Sequence, residues 1–302
     1  MRADRPCFAY GSNLCDAELA SWLAAHGLDA SHCRTVGPAL LPDHALSFGY
    51  RSQRRQAGAL DVRPSRGSLV QGALIDPSPQ GWAALDRKED VAGGAYEPRE
   101  VEVILPDGRL QPAIAYVVTA ARRGEHHAPA ADYLATVERG FARFGHDPAP
   151  LRAAADGRPG VLTVDAVFVY GTLLRGESNA HVLHDQPLRR VAAACVSGSL
   201  HETGAPYPVM VLDPAHRVRG EVAELQDVAA ALGPLDALEG FTGYARDDRM
   251  YHRTLVRAEE DGGATRLCWT YVAGETLPRG PRIADGDWRR FRAAGAVRTP
   301  EA

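Results

Sequence analysis

Short runs of hydrophobic residues, separated by Gly, Pro and charged clusters, follow one another in a similar order in both halves of this chain. Apolar positions at 3.6-residue spacing are typical of helices, and short apolar or alternating runs are typical of β-strands. The pattern predicts helices over residues 16–26, 79–90 and 130–144, then over 179–184 and 227–240. It predicts strands over 7–10, 45–48, 59–62, 70–75, 101–105, 113–118, 166–170, 195–200, 218–224, 250–257 and 267–272.

Strands outnumber helices in this pattern, and they do not alternate regularly with crossover helices. Such an order favours an α+β fold over a doubly wound parallel sheet. We therefore expect a mixed, curled β-sheet or small barrel with a few helices in each half. Asp16 is the expected N-cap of the first helix. Residues 156–160 contain two glycines and a proline, and they form the expected linker between domains at 1–155 and 161–302.

Two sequence motifs occur once in each half of the chain. The segment FAYGSNL at 8–14 recurs as FVYGTL at 168–173. Each copy is followed by the pattern LDxxE, at 85–89 and again at 235–239. The distance between copies is far longer than the units of about 20–50 residues that form solenoids. We interpret the repeat as a duplicated domain with two copies of one site.

Composition and charge exclude several classes of protein. The chain has 302 residues, of which 45% are hydrophobic and 24% charged, as expected for two globular domains of about 150 residues. A net charge of −4 gives no basic surface for nucleic acid. No apolar run approaches the roughly 20 residues that cross a bilayer, so no membrane partner is expected. The start of the chain has no secretory apolar stretch, and we expect a cytoplasmic location.

The rarer residue types also narrow the possible chemistry. Five cysteines without a CxxC pair support neither a disulfide framework nor a zinc knuckle. Lys88 is the only lysine, and no phosphate-binding GxxxxGK[ST] loop is present. The chain therefore offers hardly any candidate for a lysine that forms a Schiff base. The motifs GxSxG, HExxH and GxGxxG are absent too. No metal or redox cofactor is indicated.

A glutamate is in line with the apolar stripe of one helix in each half. Glu89 shares a helix face with Trp82 and Leu85, and Glu239 shares one with Leu235. Burial disfavours the ionised carboxylate and raises its pKa, and the aspartate three residues earlier could add like-charge repulsion. A carboxyl group with a raised pKa suits general acid/base catalysis near neutral pH. The structural alternative is a glutamate at a helix end that pairs with an arginine.

The Tyr-Gly-Ser/Thr turn lies between a strand and a helix in each half. The first N–H groups of a helix have no intrahelical partners and bind anions, and glycine permits a close approach by a ligand. Many turns of this composition have no ligand. Together with the glutamates, the turns predict a small anionic substrate held by backbone amides while one buried carboxylate transfers a proton.

Both halves resemble the γ-glutamylcyclotransferase-like superfamily. The first half resembles its γ-glutamylcyclotransferase branch through the motifs at 8–14 and 85–89, GAYxxR at 94–99, PxxxY at 129–133 and Gly140. The second half resembles the branch of plant AIG2-like proteins and γ-glutamylamine cyclotransferases through VYGTLxRG at 169–176, LEG at 238–240, Tyr244, YxR at 251–253 and GDW at 286–288. We match Tyr96, seven positions after the first glutamate, with Tyr244, five positions after the second.

The resemblance implies a γ-glutamyl cyclotransferase that releases 5-oxoproline when the substrate's α-amine attacks its own γ-carbonyl. Glu89 and Glu239 take the general acid/base role in that reaction by motif position. The implied substrate-binding residues are Tyr10, Gly11, Ser12, Asn13, Leu14 and Tyr133 in the first half, and Tyr170, Gly171, Thr172 and Leu173 in the second. The implied partner is a small γ-glutamyl compound, and the reaction needs no cofactor and no nucleophilic side chain.

Three alternatives stay open on the sequence. The chain could bind a γ-glutamyl ligand without turnover, or only one domain could be active. It could also be a thiol enzyme that uses Cys7 or Cys15, although the second half has Val167 and Arg175 at the matching positions. The leaving group is equally open among an amino acid, a peptide, a lysine side-chain amine and a glutamyl-protected metabolite. The sequence predicts no oligomeric state.

Overall fold

The computed structural model describes residues 4–246, 250–274, 277 and 279–296. The chain divides into two compact units, Met1–Pro106 with Leu110–Thr163, and Asp107–Arg109 with Val164–Ala302. Each unit combines a curled, mixed β-sheet with a few helices, which confirms the expected α+β class. No helix in the described part of the chain is both long and apolar enough to cross a membrane.

The first unit is a barrel with four α-helices around it. Its elements are β1 (Cys7–Ala9), α1 (Asp16–Ala24), β2 (Cys33–Ser52), β3 (Ala57–Pro77), α2 (Pro79–Lys88), β4 (Tyr96–Ile104), β5 (Leu110–Val118), α3 (Ala131–Arg143), α4 (Ala149–Ala155) and β6 (Leu162–Thr163). Hydrogen-bonded neighbours follow the order β1-β5-β4-β2-β3-β6. Because β1 also pairs with β3, the sheet closes, and only β6 lies outside the closed ring.

The strands β2 and β3 form one long antiparallel hairpin in place of several short strands. The sequence predicted separate strands at 45–48, 59–62 and 70–75, because glycines and prolines interrupt the apolar runs. In the structure these interruptions are irregularities within a continuous pairing, between Pro42 and His44 for example. A bulge bends a strand without ending it, which lets a long hairpin curl around a barrel.

The second unit repeats the same barrel, with three α-helices among its described residues. Its elements are β7 (Ala166–Val169), α5 (Ala180–His184), β8 (Leu188–Ser197), β9 (Ser199–His201), β10 (Val209–Val211), β11 (Arg217–Leu225), α6 (Val228–Leu238), β12 (Tyr251–Glu260), β13 (Thr265–Ala273) and α7 (Trp288–Ala296). The closed order β11-β7-β13-β12-β8 corresponds strand by strand to the first barrel. In both barrels the first strand runs parallel to one neighbour and antiparallel to the other.

A glycine in the same position of each barrel lets the first strand pack closely on its antiparallel neighbour. A Cβ atom added to Gly72 would lie 2.6 Å from Cζ of the Phe8 ring, and one added to Gly220 would lie 2.6 Å from Cζ of Phe168. Both contacts are far shorter than van der Waals contact, so only glycine fits there. The first strands, and the Tyr-Gly turns that follow them, are therefore held in equivalent positions.

The predicted N-cap of the first helix needs correction. The residue before α1 is Cys15, so Asp16 is the first helical residue and not the N-cap. Asp16 instead lies in the first turn, where its negative charge interacts favourably with the positive end of the helix dipole. By contrast, Ser78 caps α2 by accepting a hydrogen bond from the Gly81 N–H, and Asp227 caps α6 in the same way.

Candidate active site

Glu89 and Glu239 lie at the C-terminal caps of equivalent helices, α2 and α6. The N–H of Glu89 donates to the Leu85 carbonyl at 2.9 Å, and that of Glu239 donates to the Leu235 carbonyl at 3.0 Å. The next residue in each case adopts a positive φ, which ends the helix. In the described part of the chain, neither glutamate forms an ion pair with an arginine, contrary to the structural alternative.

In the first unit, the predicted residues surround two cavities that share several side chains. The larger cavity has a volume of about 300 Å³, and Ser12, Glu89 and Tyr133 line it. A smaller cavity of about 40 Å³ is lined by the same three residues and by Tyr10, Gly11 and Asn13. Leu14 lines neither cavity, because its side chain is buried in the core, where it packs next to Gly140.

Glu89 combines burial with neighbours that favour its charged form. Burial is the largest effect and raises the pKa of Glu89, whereas the charge of Lys88 and the hydrogen bond from Asn13 lower it. The Asn13 amide Nδ2 donates to Oε1 of Glu89 at 2.9 Å. This hydrogen bond joins the Tyr-Gly turn directly to the end of α2, through two residues that the sequence predicted for the site.

In the second unit, all the predicted residues line one cavity of about 220 Å³. They are Tyr170, Gly171, Thr172, Leu173 and Glu239. Burial raises the pKa of Glu239 to about 7, and no described neighbour has an opposing effect. A carboxyl group with this pKa exchanges protons readily near neutral pH.

Two tyrosines and an aspartate brace the first turn. The hydroxyl of Tyr10 donates to the carbonyl of Tyr116 at 2.5 Å, and the hydroxyl of Tyr116 donates to Oδ1 of Asp86 at 2.6 Å. Asp86 therefore holds the barrel tyrosine, and burial is the largest effect on the pKa of Glu89.

The second unit repeats this arrangement with an added cation. Tyr170 donates to the carbonyl of Tyr271 at 2.8 Å, and the hydroxyl of Tyr271 donates to Oδ1 of Asp236 at 2.7 Å. The fully buried guanidinium of Arg253 also donates to both oxygens of Asp236, at 3.0 and 2.7 Å. Burial is the effect that raises the pKa of Glu239.

The sequence paired Tyr96 with the wrong tyrosine of the second unit. Tyr96 starts β4 and donates to the Leu60 carbonyl at 2.7 Å, and it lines both cavities of the first unit. Tyr251 starts the equivalent strand β12, donates to the Pro208 carbonyl at 3.3 Å and lines the second cavity. Tyr244 instead donates to the Arg253 carbonyl at 3.0 Å. The linking segments differ in length, so spacing from the glutamate was misleading.

Tyr133 belongs to the first unit alone, and the backbone explains why the second unit tolerates its absence. The hydroxyl of Tyr133 accepts a hydrogen bond from the Leu60 N–H at 3.4 Å. The equivalent position in the second unit is Pro208, which has no N–H to satisfy. Burial raises the pKa of Tyr133 to about 12, so its hydroxyl stays protonated near neutral pH.

The sequence analysis missed several polar residues of the cavities. Arg54 and Arg55, in the turn between β2 and β3, line the first cavity together with Lys88. Ser178 and Asn179 line the second cavity, where the Asn179 amide donates to the Thr172 hydroxyl at 3.1 Å. None of these residues repeats between the halves, so the duplication carried no signal for them.

Comparison with known proteins identifies the family to which the chain belongs. The sequence profile of the family described as gamma-glutamyl cyclotransferase, AIG2-like, matches residues 7–135 and again residues 167–290. The chain belongs to this family and carries two copies of its domain. Membership explains why the turn and the glutamate occur twice.

Three similar proteins illustrate the relationship. The gamma-L-glutamyl-butirosin B gamma-glutamyl cyclotransferase of Niallia circulans is 33% identical over 126 residues, 42% of this chain and 76% of the relative. A solved structure of a gamma-glutamyl cyclotransferase has a TM-score of 0.42 and 24% identity, and the match covers 50% of this chain and 85% of that one. An uncharacterised protein from Homo sapiens has a TM-score of 0.43 and 24% identity, with 53% and 89% covered.

Proposed function

We propose that each unit is a γ-glutamyl cyclotransferase, with Glu89 and Glu239 as the general acid/base of the first and second unit. The substrate is a small γ-glutamyl compound, and the products are 5-oxoproline and a free amine. Family membership and the relative from Niallia circulans support the reaction class. The observation that carries the proposal is a glutamate with a burial-raised pKa at the wall of a cavity beside each Tyr-Gly turn.

The reaction moves two protons from the attacking nitrogen to the departing nitrogen, and one carboxyl group can carry both in turn. The ionised glutamate first takes a proton from the substrate's α-ammonium, and the freed amine attacks the γ-carbonyl carbon. A carbon–nitrogen bond forms and closes a five-membered ring. The protonated glutamate then gives its proton to the departing nitrogen as the original amide bond breaks. The regenerated carboxylate takes the second proton from the ring nitrogen and passes it to the freed amine, which leaves as an ammonium ion. A pKa near the working pH serves both steps.

The turns supply the remaining requirement, which is a fixed orientation of the glutamyl group. The start of a helix leaves N–H groups without intrahelical partners, and Gly11, Ser12 and Asn13 border the small cavity next to Glu89. Such groups suit the substrate's carboxylate or the oxyanion of the ring-closing step. Because amine and carbonyl belong to one molecule, correct orientation alone removes several kcal/mol of the barrier.

Replacement of each glutamate by glutamine tests the proposal. The full chain and its variants Glu89→Gln and Glu239→Gln are incubated with γ-glutamyl amino acids and amines, and 5-oxoproline is measured. Glutamine has the same shape but cannot accept the proton, so each change is expected to lower kcat of its own unit at least about 100-fold. The double variant should lose both activities.

A binding role without turnover gives a different result. Titration calorimetry would then show γ-glutamyl ligands binding to the wild-type chain, and long incubation would yield no 5-oxoproline. The outcome that overturns the proposed role of the glutamates is 5-oxoproline formation by the folded double variant at the wild-type rate. Circular dichroism of the double variant checks that both barrels remain folded.

A further inference from the structure

The only lysine of the chain stands next to the proposed acid/base of the first unit. The side chain of Lys88 is 2% exposed and borders the larger cavity. Its ammonium group has no hydrogen-bond partner within the described structure. The nearest carboxylate oxygen, Oε1 of Glu18, is 3.8 Å away and lies closer to Arg55, at 3.4 Å. Lys88 thus presents a cation that the folded chain leaves incompletely paired.

A buried ammonium group without a hydrogen-bond acceptor is costly. Burial lowers the pKa of Lys88, and the charges of Glu89 and Glu18 only partly oppose this effect. Buried charges in proteins are normally paired with an opposite charge or hydrogen-bonded. A ligand anion in the adjoining cavity would give the ammonium group both an opposite charge and a hydrogen-bond acceptor.

The larger cavity as a whole has a positive character. Four cationic side chains line it, against two carboxylates, those of Glu89 and Asp90. Arg54 stacks over Trp22 with its guanidinium carbon 5.1 Å from the ring centroid, and Arg55 lies 4.3 Å from that of Tyr133. Stacking holds these guanidinium groups at the cavity and leaves the edges of both groups to hydrogen-bond acceptors. Nη2 of Arg55 donates to Oε1 of Glu18 at 3.4 Å, and its other N–H groups can serve an anion.

The cavity of the second unit contains counterparts of residues from both cavities of the first, and its described lining is neutral apart from its glutamate. Leu238 precedes Glu239 as Lys88 precedes Glu89, and it lines the cavity. On the opposite side stand Pro206 and Tyr207. Among the described lining residues, Glu239 carries the single formal charge and there is no cation.

The two units share the residues that suit the γ-glutamyl group of the substrate. They differ in the residues that suit the leaving group. Both have the Tyr-Gly turn, the glutamate and the braced tyrosines, which suit the γ-glutamyl group present in every substrate. The cations occur in one unit, so they suit the leaving group. We propose that Lys88 makes the first unit selective for leaving amines that carry a carboxylate, whereas Leu238 makes the second unit selective for amines without one. This inference rests on the proposed function.

Two substrates that differ only in that carboxylate test the inference. They are γ-glutamyl-2-aminobutyrate and γ-glutamyl-propylamide, whose leaving amines have the same carbon chain. The full-length Glu239→Gln variant reports on the first unit, and the Glu89→Gln variant reports on the second. We expect kcat/KM in the first unit to favour the carboxylate substrate by about tenfold or more, the size of one charge-assisted hydrogen bond. The second unit should favour the propylamide.

Replacement of Lys88 by methionine, in the Glu239→Gln chain, assigns the selectivity to one side chain. Methionine keeps the unbranched shape and removes the charge. Loss of the charge also raises the pKa of Glu89, which changes the rates for both substrates equally. The ratio of the two kcat/KM values is therefore the readout, and it should fall about tenfold. Lys88→Arg, which keeps the charge, should retain most of the preference.

Each outcome supports or overturns the inference. Equal preferences of the two units, or an unchanged ratio in folded Lys88→Met, would overturn it while 5-oxoproline formation still upheld the cyclotransferase function. Failure of the function would look different, because neither substrate would yield 5-oxoproline in the wild-type chain. If Lys88→Met does not fold, the comparison of the two glutamine variants still decides, since it leaves Lys88 in place.

Discussion

Glu89 and Glu239 end equivalent helices, yet the residue of the turn that faces them differs between the units. Asn13 donates a hydrogen bond to Glu89, whereas the equivalent residue beside Glu239 is Leu173. A hydrogen bond from an amide favours the ionised carboxylate, and an apolar neighbour gives no such support. This position of the turn is therefore one determinant of the pH at which each unit works, next to burial and, in the first unit, the charge of Lys88.

Exchange of these turn residues should shift the acid limb of the pH profile of kcat/KM, downward in the second unit and upward in the first. Below its pKa, Glu239 is protonated and cannot take the ammonium proton, so kcat/KM of the second unit should fall as the pH drops through about 7. Leu173→Asn, in the Glu89→Gln chain, should lower the pKa of Glu239 and move this limb down by roughly one pH unit. Asn13→Leu, in the Glu239→Gln chain, should raise the pKa of Glu89 and move the limb of the first unit upward. Both are measured as pH profiles of kcat/KM.

The substrate provides the control for this exchange. Its α-ammonium is the same in every profile, so any limb that it causes stays fixed between parent and variant. A limb that does not move in either variant would assign the titration to the substrate or to another residue, and the glutamates would lose their role as the titrating base.

At the scale of elements, α3 supports the first turn through direct backbone contact. A Cβ atom added to Gly140 would lie 2.5 Å from Cβ of Leu14 and 3.1 Å from the backbone N of Cys15. The helix can approach the short 3-10 turn Ser12–Leu14 because this position is glycine. The hydrogen bond from Asn13 to Glu89 depends on the position of that turn.

Gly140→Ala should therefore destabilise the first unit and slow its reaction, although alanine is the better helix former. We expect a loss of about 1–3 kcal/mol in the free energy of unfolding, typical of overpacking, and a lower kcat in the Glu239→Gln chain. Denaturant unfolding and 5-oxoproline release measure the two effects. Gly295→Ala is the matched control, because this helical glycine has open space around its Cα. That change should be neutral or stabilising by up to about 1 kcal/mol. Equal effects at both positions would contradict the packing argument.

The sequence was most informative where local pattern and tertiary structure agree. The helices over 79–90 and 227–240 were expected nearly as they occur. An apolar stripe determines each helix locally, together with an N-cap, Ser78 for the first and Asp227 for the second. The continuous pairing of β2 with β3 could not be expected, because it depends on bulges that only the partner strand reveals. The closure of each barrel likewise depends on contacts between strands distant in sequence.

The same distinction applies to the cavities. Glu89 and Glu239 were found because they repeat at the same helical phase, and repetition is visible in a sequence. Arg54 and Arg55 were not found, because a hairpin turn reaches the cavity only when a long strand pair curls. Lys88 was noticed as a rare residue, but its burial next to a cavity is a property of the fold.

At the scale of the whole molecule, the larger cavity of the first unit and the cavity of the second unit differ in charge. The first is lined by cations in excess of carboxylates, and the described lining of the second contains no cation. Duplication lets one copy change its leaving-group cavity while the other keeps its own. Under our proposal, one chain thus processes two kinds of γ-glutamyl compound at separate sites.

Separate sites make a distinct prediction for a mixture of both substrates. With γ-glutamyl-2-aminobutyrate and γ-glutamyl-propylamide each at saturating concentration for its preferred unit, the wild-type chain should release 5-oxoproline at nearly the sum of the two separate rates. Each substrate occupies a different cavity, so neither displaces the other. If both were processed at a single site, competition would hold the mixed rate between the two separate rates. The Glu89→Gln chain is the internal control, since it retains one active site and should show that intermediate rate. An intermediate rate in the wild-type chain would mean that the two cavities do not divide the substrates between them.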